Sequence, residues 1–401
     1  MSLSCKHKQY ESLGFCPICQ HSRAMSQVKA KLPKQEFFGS APTVFVGRFG
    51  YPNVNVGIMA PPEIDENAWI LDAPRYWGEH SYTIPQMIDI RSELINSRLA
   101  VGIKDRNKFL QVSREVAMAS KPAEVEIKLE KQPSFRMSFH DYSAPSGPKA
   151  ALKQVELTSN TKIDKKVDYV VSDTDFKAGP AMTYLYERGY DENFITRLLS
   201  IGNLGVNTDR KLVPTRWSIT ATDDSLGKQL IKKVKDFNQS NYLAFFGGYL
   251  GNYYLIMFFP EVWSYELFEA AVPAPGHQLQ YATDAEFYSG RKEYASNTVG
   301  GYYAARLPIL EKMVQMKKQA SILCLRFITR EYAVPLGVWV VREATRKAMQ
   351  SKPIEFTSRD VMMQYAHEFI KKKFGCDITQ ILKESKLLRK ITAQRKLREF
   401  A

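Results

Sequence analysis

The sequence predicts an α+β fold: a mixed sheet core with surrounding helices, a small N-terminal module, and a C-terminal helix followed by a tail. Three observations predict it. Strand-like and helix-like patterns follow one another without the regular alternation that is typical of a doubly wound sheet. Three of the five cysteines lie within the first 19 residues. Basic residues are concentrated at the two ends of the chain, which sets both ends apart from the centre.

The chain has 401 residues, of which 44% are hydrophobic, and this is enough to bury a substantial core. We divide it into an N-terminal module at 1–23, an α+β core at 24–376, and a basic C-terminal helix and tail at 377–401. A loop or linker is expected near 143–152, where two prolines, a glycine and small polar residues cluster.

The first half of the core contains strand and helix signals. TVFVGRFGYPNVNVG predicts a strand from Thr43 to Phe49, because β-branched and aromatic residues precede a run of Gly, Pro and Asn. Apolar residues from Met87 to Ile95 recur at helical spacing, which indicates a helix after Pro85. VEIKLE, at 125–130, is typical of a strand.

The middle of the core continues this mixed pattern. YLYERGYDENFITRLLS, at 184–200, indicates helix, and RWSITATDD, at 216–224, indicates a strand that runs into a turn. Asp224 or Ser225 is then expected to cap an amphipathic helix. LAFFGGYLGNYYLIMFF, at 243–259, places two aromatic apolar arms around a glycine-containing turn and predicts a hairpin.

The last elements precede a basic tail. TVGGYYAARLPILEKMVQMKKQ, at 298–319, predicts a glycine loop that leads into a helix, and PLGVWVVREATRKAMQ, at 335–350, fits either a strand or a helix. A final helix is expected to start at Asp377, with Gln380 completing a variant of the capping box. Its apolar side is formed by Ile378, Ile381, Leu382 and Leu388.

Charge and hydropathy narrow the class of protein. The formal net charge is +14; residues 1–35 carry six Lys or Arg against one Glu, and residues 371–401 carry ten against three acids. These basic ends suit an acidic partner such as nucleic acid, although two solvated tails would look the same.

The longest apolar run, from Tyr253 to Phe259, is too short to cross a bilayer, so no membrane partner is expected. The N-terminus lacks the apolar stretch of a signal peptide, and we expect a cytoplasmic protein.

The strongest local motif is CPIC, because a Cys-x-x-Cys turn places two thiolates at ligand distance from one metal ion. Cys16 and Cys19 form this pair, and Cys5 supplies a third ligand. The fourth ligand is His7 or His21, and we favour His7, because Cys5-x-His7 then forms a second pair. A closed set of four ligands predicts a structural Zn²⁺ site. A redox role is the alternative, but no thioredoxin-like βαβ pattern follows the motif.

The core lacks the HExxH, GxxxxGK[ST] and GxSxG motifs of several large enzyme classes. It has instead three polar loops that could hold a phosphate or a base edge, although each loop alone is more often a turn with a surface arginine. If the protein is an enzyme, Asp223 or Asp72 is the candidate carboxylate that would activate water. Asp223 also fits the cap of the following helix. The predicted substrate-binding residues are Arg48, Tyr51, Asn53, Asn55, Arg216, Asn297, Thr298 and Arg306.

The C-terminus, QRKLREFA, spaces Gln394, Leu397 and Phe400 by three residues among positive charges. A tight helical turn would align the three side chains on one face. Such an apolar turn at the end of a chain indicates a peptide that docks in a partner's pocket. The alternative is that Leu397 and Phe400 pack back onto the core.

Several longer stretches resemble a known family. GRFGYPNVNVG, VPTRWSITATDD, GNYYLIMFFPEVW, TVGGYYAARL and PLGVWVVRE, spread over about 43–350, resemble the signature stretches of the archaeal Nre family of DNA repair proteins. The resemblance implies a role in DNA repair, an N-terminal zinc-binding cysteine motif and a C-terminal peptide that binds the sliding clamp (PCNA). That peptide has the form Gln-x-x-aliphatic-x-x-aromatic-aromatic, and Ala401 replaces the second aromatic here. The zinc module departs from the four-cysteine arrangement of the family by one histidine.

Three hypotheses follow. The first is a DNA repair factor that the clamp recruits and that binds DNA or a nucleotide through its basic ends and a polar core cleft. The second is an enzyme, a nuclease or a glycosidic or ADP-ribosyl-type hydrolase, that processes damaged or modified DNA ends. The third is a zinc-dependent RNA-binding protein. A pocket that gathers the predicted substrate-binding residues would favour the enzyme.

Overall fold

The computed structural model describes the chain except for residues 1–4, 6, 31, 135–145, 275 and 394–401. The described chain forms two compact units. Unit 1 comprises Met1–Leu226 with Val334–Leu336, and unit 2 comprises Gly227–Ala333 with Gly337–Ala401. Among the helices that the structure describes, none combines the length and the apolar character needed to span a bilayer.

Unit 1 is built on a six-stranded mixed sheet. Its strands are β1 (Glu36–Ala41), β2 (Thr43–Val46), β3 (Asn53–Ala60), β4 (Ile95–Gly102), β5 (Ala123–Leu129) and β6 (Lys149–Leu157). Their order is β1-β5-β6-β4-β3-β2, and every pair is antiparallel except β4 with β6. One face is apolar, with Val54, Val56 and Ile58 of β3 fully buried.

Eight α-helices begin in unit 1. They are α1 (Pro17–Ala30), α2 (Pro74–Glu79), α3 (Ile84–Glu93), α4 (Lys108–Met118), α5 (Lys165–Ser172), α6 (Ala178–Glu187), α7 (Glu192–Ser200) and α8 (Thr215–Val234). Short 3-10 helices lie at Lys8–Leu13, Ala68–Asp72 and Asn207–Asp209. Leu110 and Val116 of α4 belong to the same buried cluster as β3, so α4 covers the apolar face of the sheet.

Unit 2 has a second six-stranded mixed sheet. The strands of unit 2 are β7 (Asn238–Gln239), β8 (Tyr242–Tyr249), β9 (Asn252–Phe259), β10 (Ser264–Ala271), β11 (Gln280–Glu286), β12 (Lys318–Gln319), β13 (Ser321–Ile328) and β14 (Ile354–Phe356), and all of them except β7 and β12 belong to this sheet. The order is β11-β10-β13-β9-β8-β14, and only β10 and β13 run parallel. β7 and β12 form a separate parallel pair.

Five helices complete unit 2: α9 (Val299–Met316), α10 (Val338–Gln350), α11 (Arg359–Phe374), α12 (Thr379–Glu384) and α13 (Lys386–Ala393). The last helix is held to the sheet at its N-terminus, where Glu266 of β10 accepts hydrogen bonds from the Ser385 hydroxyl and from the N–H groups of Lys386 and Leu387. A carboxylate at this position satisfies donors that a helix start otherwise leaves unpaired.

The α+β class is confirmed, as are several of its elements. Residues 243–259 form the predicted hairpin, β8 and β9. Leu250 and Gly251 form its two-residue turn, both with positive φ, as a primed turn requires. The helix after residue 83 starts with a capping box between Thr83 and Gln86, but it ends at Glu93, and Ile95 opens β4 instead of extending the helix.

The prediction of a strand at 216–224 is wrong, because these residues lie inside α8. The buried side of α8 includes Ser218, Thr222 and Leu226, spaced one helical turn apart. Two of the three are polar, so the sequence shows no apolar period that would indicate a helix here. Asp223 and Asp224 therefore lie in mid-helix and cannot serve as its N-cap.

Three smaller predictions also fail in detail. Residues 149–152 of the expected linker belong to β6. The glycines of TVGG lie inside the first turn of α9, which starts at Val299, and not in a preceding loop. The final helix is two helices, α12 and α13, and Asp377 accepts from the N–H of Thr379 without a reciprocal bond from Gln380, whose amide instead binds Glu384.

Candidate metal centre and candidate nucleic-acid surface

Four side chains of the N-terminal module converge on one point. The ligand atoms of Cys5, His7, Cys16 and Cys19 all lie within 4.8 Å of one another. His7 Nδ1 is 3.6, 3.5 and 3.6 Å from the Sγ atoms of Cys5, Cys16 and Cys19 respectively, and the Cys5 and Cys19 sulfurs are 3.5 Å apart. The structure thus brings together the predicted set that contains His7, and His21 lies outside it.

Local sequence explains this convergence. Pro17 is the first residue of α1, so Cys16 lies immediately before the helix and Cys19 lies within its first turn. The N–H of Cys19 points at the Cys16 sulfur, at 3.5 Å. Further along α1, the Gln20 amide donates to the Asp89 carboxylate of α3 at 2.8 and 2.9 Å, which fixes the helix on unit 1.

The donor set fits a tetrahedral metal ion. Metal–sulfur distances of about 2.3 Å and metal–nitrogen distances of about 2.0 Å imply ligand atoms roughly 3.5–3.8 Å apart at tetrahedral angles. The separations around His7 match this spacing. Three thiols this close also repel one another when ionised, and a bound cation would remove that repulsion.

Acidities in the cluster reflect this crowding. The backbone N–H and the ring of His7 lower the pKa of the Cys5 thiol to about 7. Hydrogen bonds with the neighbouring thiols Cys5 and Cys16 raise the pKa of Cys19 to about 11. A cysteine that binds a metal ion does so as the thiolate, so metal binding at this cluster would release protons.

A different surface of unit 1 carries exposed aromatic rings and arginines. We use the name aromatic surface for Phe45, Arg48, Phe49, Tyr51, Arg216 and Trp217, all of which are exposed. The Tyr51 and Trp217 rings lie 5.1 Å apart, tilted by 56°. The Arg48 guanidinium lies over the Phe49 ring, 4.9 Å from its centroid.

The fold assembles this surface from two distant segments. The turn between β2 and β3 supplies residues 47–52, and the first turn of α8 supplies Arg216 and Trp217. Thr215 joins the two segments, because its hydroxyl accepts from the N–H of Val46 at 2.9 Å and lies 3.0 Å from the Ser200 hydroxyl. The aromatic surface therefore lies on anchored elements.

The outer face of the same sheet extends the surface. Side chains on neighbouring antiparallel strands that lie opposite one another share a face. Phe45 of β2 lies opposite Gly57 of β3, which lies opposite Arg98 of β4. Asn53 and Asn55 follow on this face, and both are exposed, as is Arg98.

Positive charge flanks the surface. The N–H of Ile103 donates to Pro52 O, and the N–H of Leu212 donates to Ile103 O, so the chain around these residues borders the turn. Exposed Lys104, Arg106 and Lys211 lie in these bordering segments. Burial, followed by the charges of Arg106 and Arg210, lowers the pKa of Arg114. In the part of the chain that the structure describes, neither Arg48 nor Arg216 forms an ion pair.

The predicted site residues of unit 2 contact carboxylates of their own unit. Asp284 Oδ2 accepts from the N–H groups of Asn297 and Thr298, at 3.0 and 2.8 Å, and from the Thr298 hydroxyl at 2.9 Å. Arg306 Nη1 donates to both Glu286 oxygens, at 3.0 and 2.9 Å, and each side chain is 1% exposed. Their role in substrate binding stays a prediction.

The two candidate catalytic carboxylates lie in unit 1. Asp72 forms an ion pair with Arg91 at 3.2 Å, and both side chains are 27% exposed. Asp223 is fully buried in α8. Their catalytic roles stay predictions. Gln394, Leu397 and Phe400 of the terminal motif lie outside the described residues.

Phe45, Phe49 and Arg98 are not among the site residues predicted from sequence, although all three are exposed. A sequence signal exists for one of them, because Phe45 stands between Val44 and Val46 in β2, and both valines are buried. Strand alternation places such a residue on the outer face. Phe49 and Arg98 carry no comparable signal, since exposure of a turn residue or a strand arginine depends on tertiary packing.

Comparison with known proteins identifies relatives over nearly the whole chain. The family model described as Archaeal Nre, N-terminal, matches residues 12–275, and the model described as Archaeal Nre, C-terminal, matches residues 286–400. DNA repair protein NreB of Archaeoglobus fulgidus is 35% identical over 405 residues, which cover 99% of both chains. DNA repair protein NreA of Haloferax volcanii is 36% identical over 327 residues, 78% of each chain.

A third relative, DNA repair protein NreA of Archaeoglobus fulgidus, is 33% identical over 377 residues, which cover 92% of this chain and 93% of the relative. No solved structure matches the chain. The two family models together account for both structural units, and the relatives extend from end to end. The chain therefore belongs to the archaeal Nre family, whose relatives named here are DNA repair proteins.

Proposed function

We propose that this chain is a DNA repair factor that binds DNA through the aromatic surface of unit 1 and is recruited to the sliding clamp by its terminal peptide. The observation that carries the first part is the set of exposed rings beside arginines with no ion pair among the described residues. The names of its relatives support the repair role.

The aromatic surface has the two components that nucleic acid requires. Arginine and lysine neutralise phosphates, and this exchange of counterions supplies most of the affinity of non-specific binding. Arg48 and Arg216 have no described carboxylate to displace before they meet a phosphate. Aromatic rings that would otherwise cost free energy by facing water can stack on bases. Exposed aromatic rings grouped beside arginines without an ion pair are not expected on a surface that binds no partner.

The metal centre plays a structural part in this proposal. We infer that Zn²⁺ is the ion, since three thiolates and one imidazole at tetrahedral spacing suit it, and no ligand position is left for a substrate. Cys5, His7, Cys16 and Cys19 would hold it and so tie the segment before α1 to the helix start. Metal binding and folding of this module are then coupled.

The test of DNA binding is a double substitution, Arg48→Gln with Arg216→Gln. If each arginine meets one phosphate, the slope of log K against log salt should fall by about 1.8 on duplex DNA, because each phosphate contact contributes about 0.9. Affinity measured by fluorescence anisotropy at several salt concentrations gives this slope. An unchanged slope would remove the surface from the proposal.

A matched control uses Lys121→Gln with Lys162→Gln, two exposed lysines. They lie near the start of β5, where Ala123 pairs with Ala41, at the opposite end of β2 from the turn. This pair should leave the slope within error of the unaltered chain. A single-stranded RNA of the same sequence serves as a further comparison, and a preference for it would favour the RNA-binding alternative.

Clamp recruitment is tested by replacing Leu397 and Phe400 with alanine. Both substitutions remove the apolar turn while keeping the surrounding charges, so binding to the cognate clamp should be lost in a calorimetric titration. Arg395→Ala with Lys396→Ala is the control, and should weaken binding by less than about tenfold. Ala401→Phe restores the second aromatic and should tighten binding. Equal affinity of these three variants and the unaltered chain would contradict clamp recruitment.

A further inference from the structure

We infer that the aromatic surface selects DNA in which bases are unpaired, and that it holds such bases by stacking. The inference rests on the proposed function, because it concerns the same surface. It adds the class of DNA: a single strand, a gap or a displaced strand, as opposed to an intact duplex.

Phe49 gives the first reason. Its side chain is 77% exposed at the turn between β2 and β3, the largest exposed fraction among the large hydrophobic residues that the structure describes. Exposure of this extent leaves the apolar ring in water. The Arg48 guanidinium covers one side of the ring, at 4.9 Å, so the other side faces outward with a cation next to it. A base stacked there would have its phosphate within reach of that cation.

The pair of Tyr51 and Trp217 gives the second reason. The rings lie 5.1 Å apart at 56°, and their exposed fractions are 42% and 46%. A tilted pair leaves the faces of both rings partly open, unlike a parallel stack, which closes one face of each. Since the Thr215 hydroxyl fixes the start of α8 to β2, the two rings are held together before any ligand binds.

The outer face of the sheet gives the third reason. Asn53 and Asn55 are exposed beside Phe45, and an amide can donate to and accept from a base edge. The Watson–Crick edge of a base is open to such an amide only when the base has left its pair. Gly57 lies between Phe45 and Arg98 on this face, and the Asn96 side chain fills the space that a Cβ at Gly57 would take.

An intact duplex would use this surface poorly. Duplex DNA presents phosphates and groove edges, while its base faces are covered by neighbouring base pairs. Arg48, Arg216 and the flanking Lys104, Arg106 and Lys211 could contact a duplex backbone, but four aromatic rings would then face phosphates or water. Only unpaired bases use the rings and the cations together.

The experiment measures affinity for a short single strand and for the duplex of the same sequence with the full chain and two variants, Phe49→Ala and Trp217→Ala. Each substitution should weaken single-strand binding by about tenfold or more, and duplex binding by less than about twofold. A 2-aminopurine base in the single strand reports stacking directly, because stacking quenches its fluorescence. The quench should diminish in both variants.

Controls separate stacking from folding and from simple apolar contact. Tyr169→Ala removes a ring that is 52% exposed in α5 and should change neither affinity. Phe49→Leu keeps apolar volume without a π-face and should behave like Phe49→Ala, whereas Phe49→Tyr should bind like the unaltered chain. Thermal unfolding of every variant checks that the fold is intact.

The outcomes distinguish the two proposals. If the full chain binds neither DNA, the proposed function fails and the inference fails with it. If it binds both, and the variants lose affinity for both to the same extent or for neither, DNA binding stands and selection of unpaired bases is overturned. Loss confined to the single strand, with a diminished quench, supports the inference.

Discussion

Replacing Cys16 with serine should abolish tight metal binding and unfold the N-terminal module. Serine removes one of four ligands whose atoms lie within 4.8 Å of one another. Loss of a ligand should exceed the 10- to 100-fold cost of losing a group that merely orients a ligand. Metal content by mass spectrometry under native conditions, and proteolysis within residues 5–30, measure the two effects.

Two histidine substitutions serve as matched controls. His7→Asn should behave like the Cys16 variant, whereas His21→Asn should keep its metal, because His21 lies outside the cluster. Burial lowers the pKa of His21, which favours its neutral form. Equal metal content in all variants, or loss in His21→Asn alone, would contradict the assignment of His7. Chelation should mimic Cys16→Ser and leave the sheet of unit 1 folded.

Replacing Arg306 with methionine should destabilise unit 2 by about 3–5 kcal/mol. The substitution keeps most of the volume of the side chain but leaves the Glu286 carboxylate buried without its bidentate partner. The cost in stability arises from the buried charge of Glu286, which no longer has a counter-charge. The substitution also removes the guanidinium that lies 5.3 Å from the centroid of the Tyr303 ring. Denaturant unfolding, monitored by tryptophan fluorescence, measures the change.

A second substitution tests the reason. Glu286→Leu, added to Arg306→Met, removes the buried carboxylate that has lost its partner. The double variant should recover more than half of the lost stability, since an apolar pair can replace a buried ion pair. Lys108→Met provides the exposed comparison, because its partner Glu156 is 44% exposed, and should leave the free energy of unfolding nearly unchanged. A loss below about 1 kcal/mol in Arg306→Met would show that the pair contributes little to the stability of unit 2.

Several elements could be predicted because their signals are local. The β8–β9 hairpin follows from two apolar arms and one turn that contains glycine, and α3 follows from apolar residues at helical spacing after Pro85. The strand predicted at 216–224 illustrates the opposite case. The buried side of α8 includes Ser218 and Thr222, and an apolar period cannot be seen where the buried residues are polar.

The sequence by itself determined the family, the α+β class and the Cys/His cluster that could hold a metal ion. Cys5, His7, Cys16 and Cys19 span only 15 residues, and one helix start is enough to bring them together. Tertiary structure alone decided the aromatic surface and the buried pair of unit 2. Val46 and Thr215 are 169 positions apart, and Glu286 and Arg306 are 20 apart, on a strand and a helix. Such contacts depend on how elements pack, and no spacing along the chain specifies that packing.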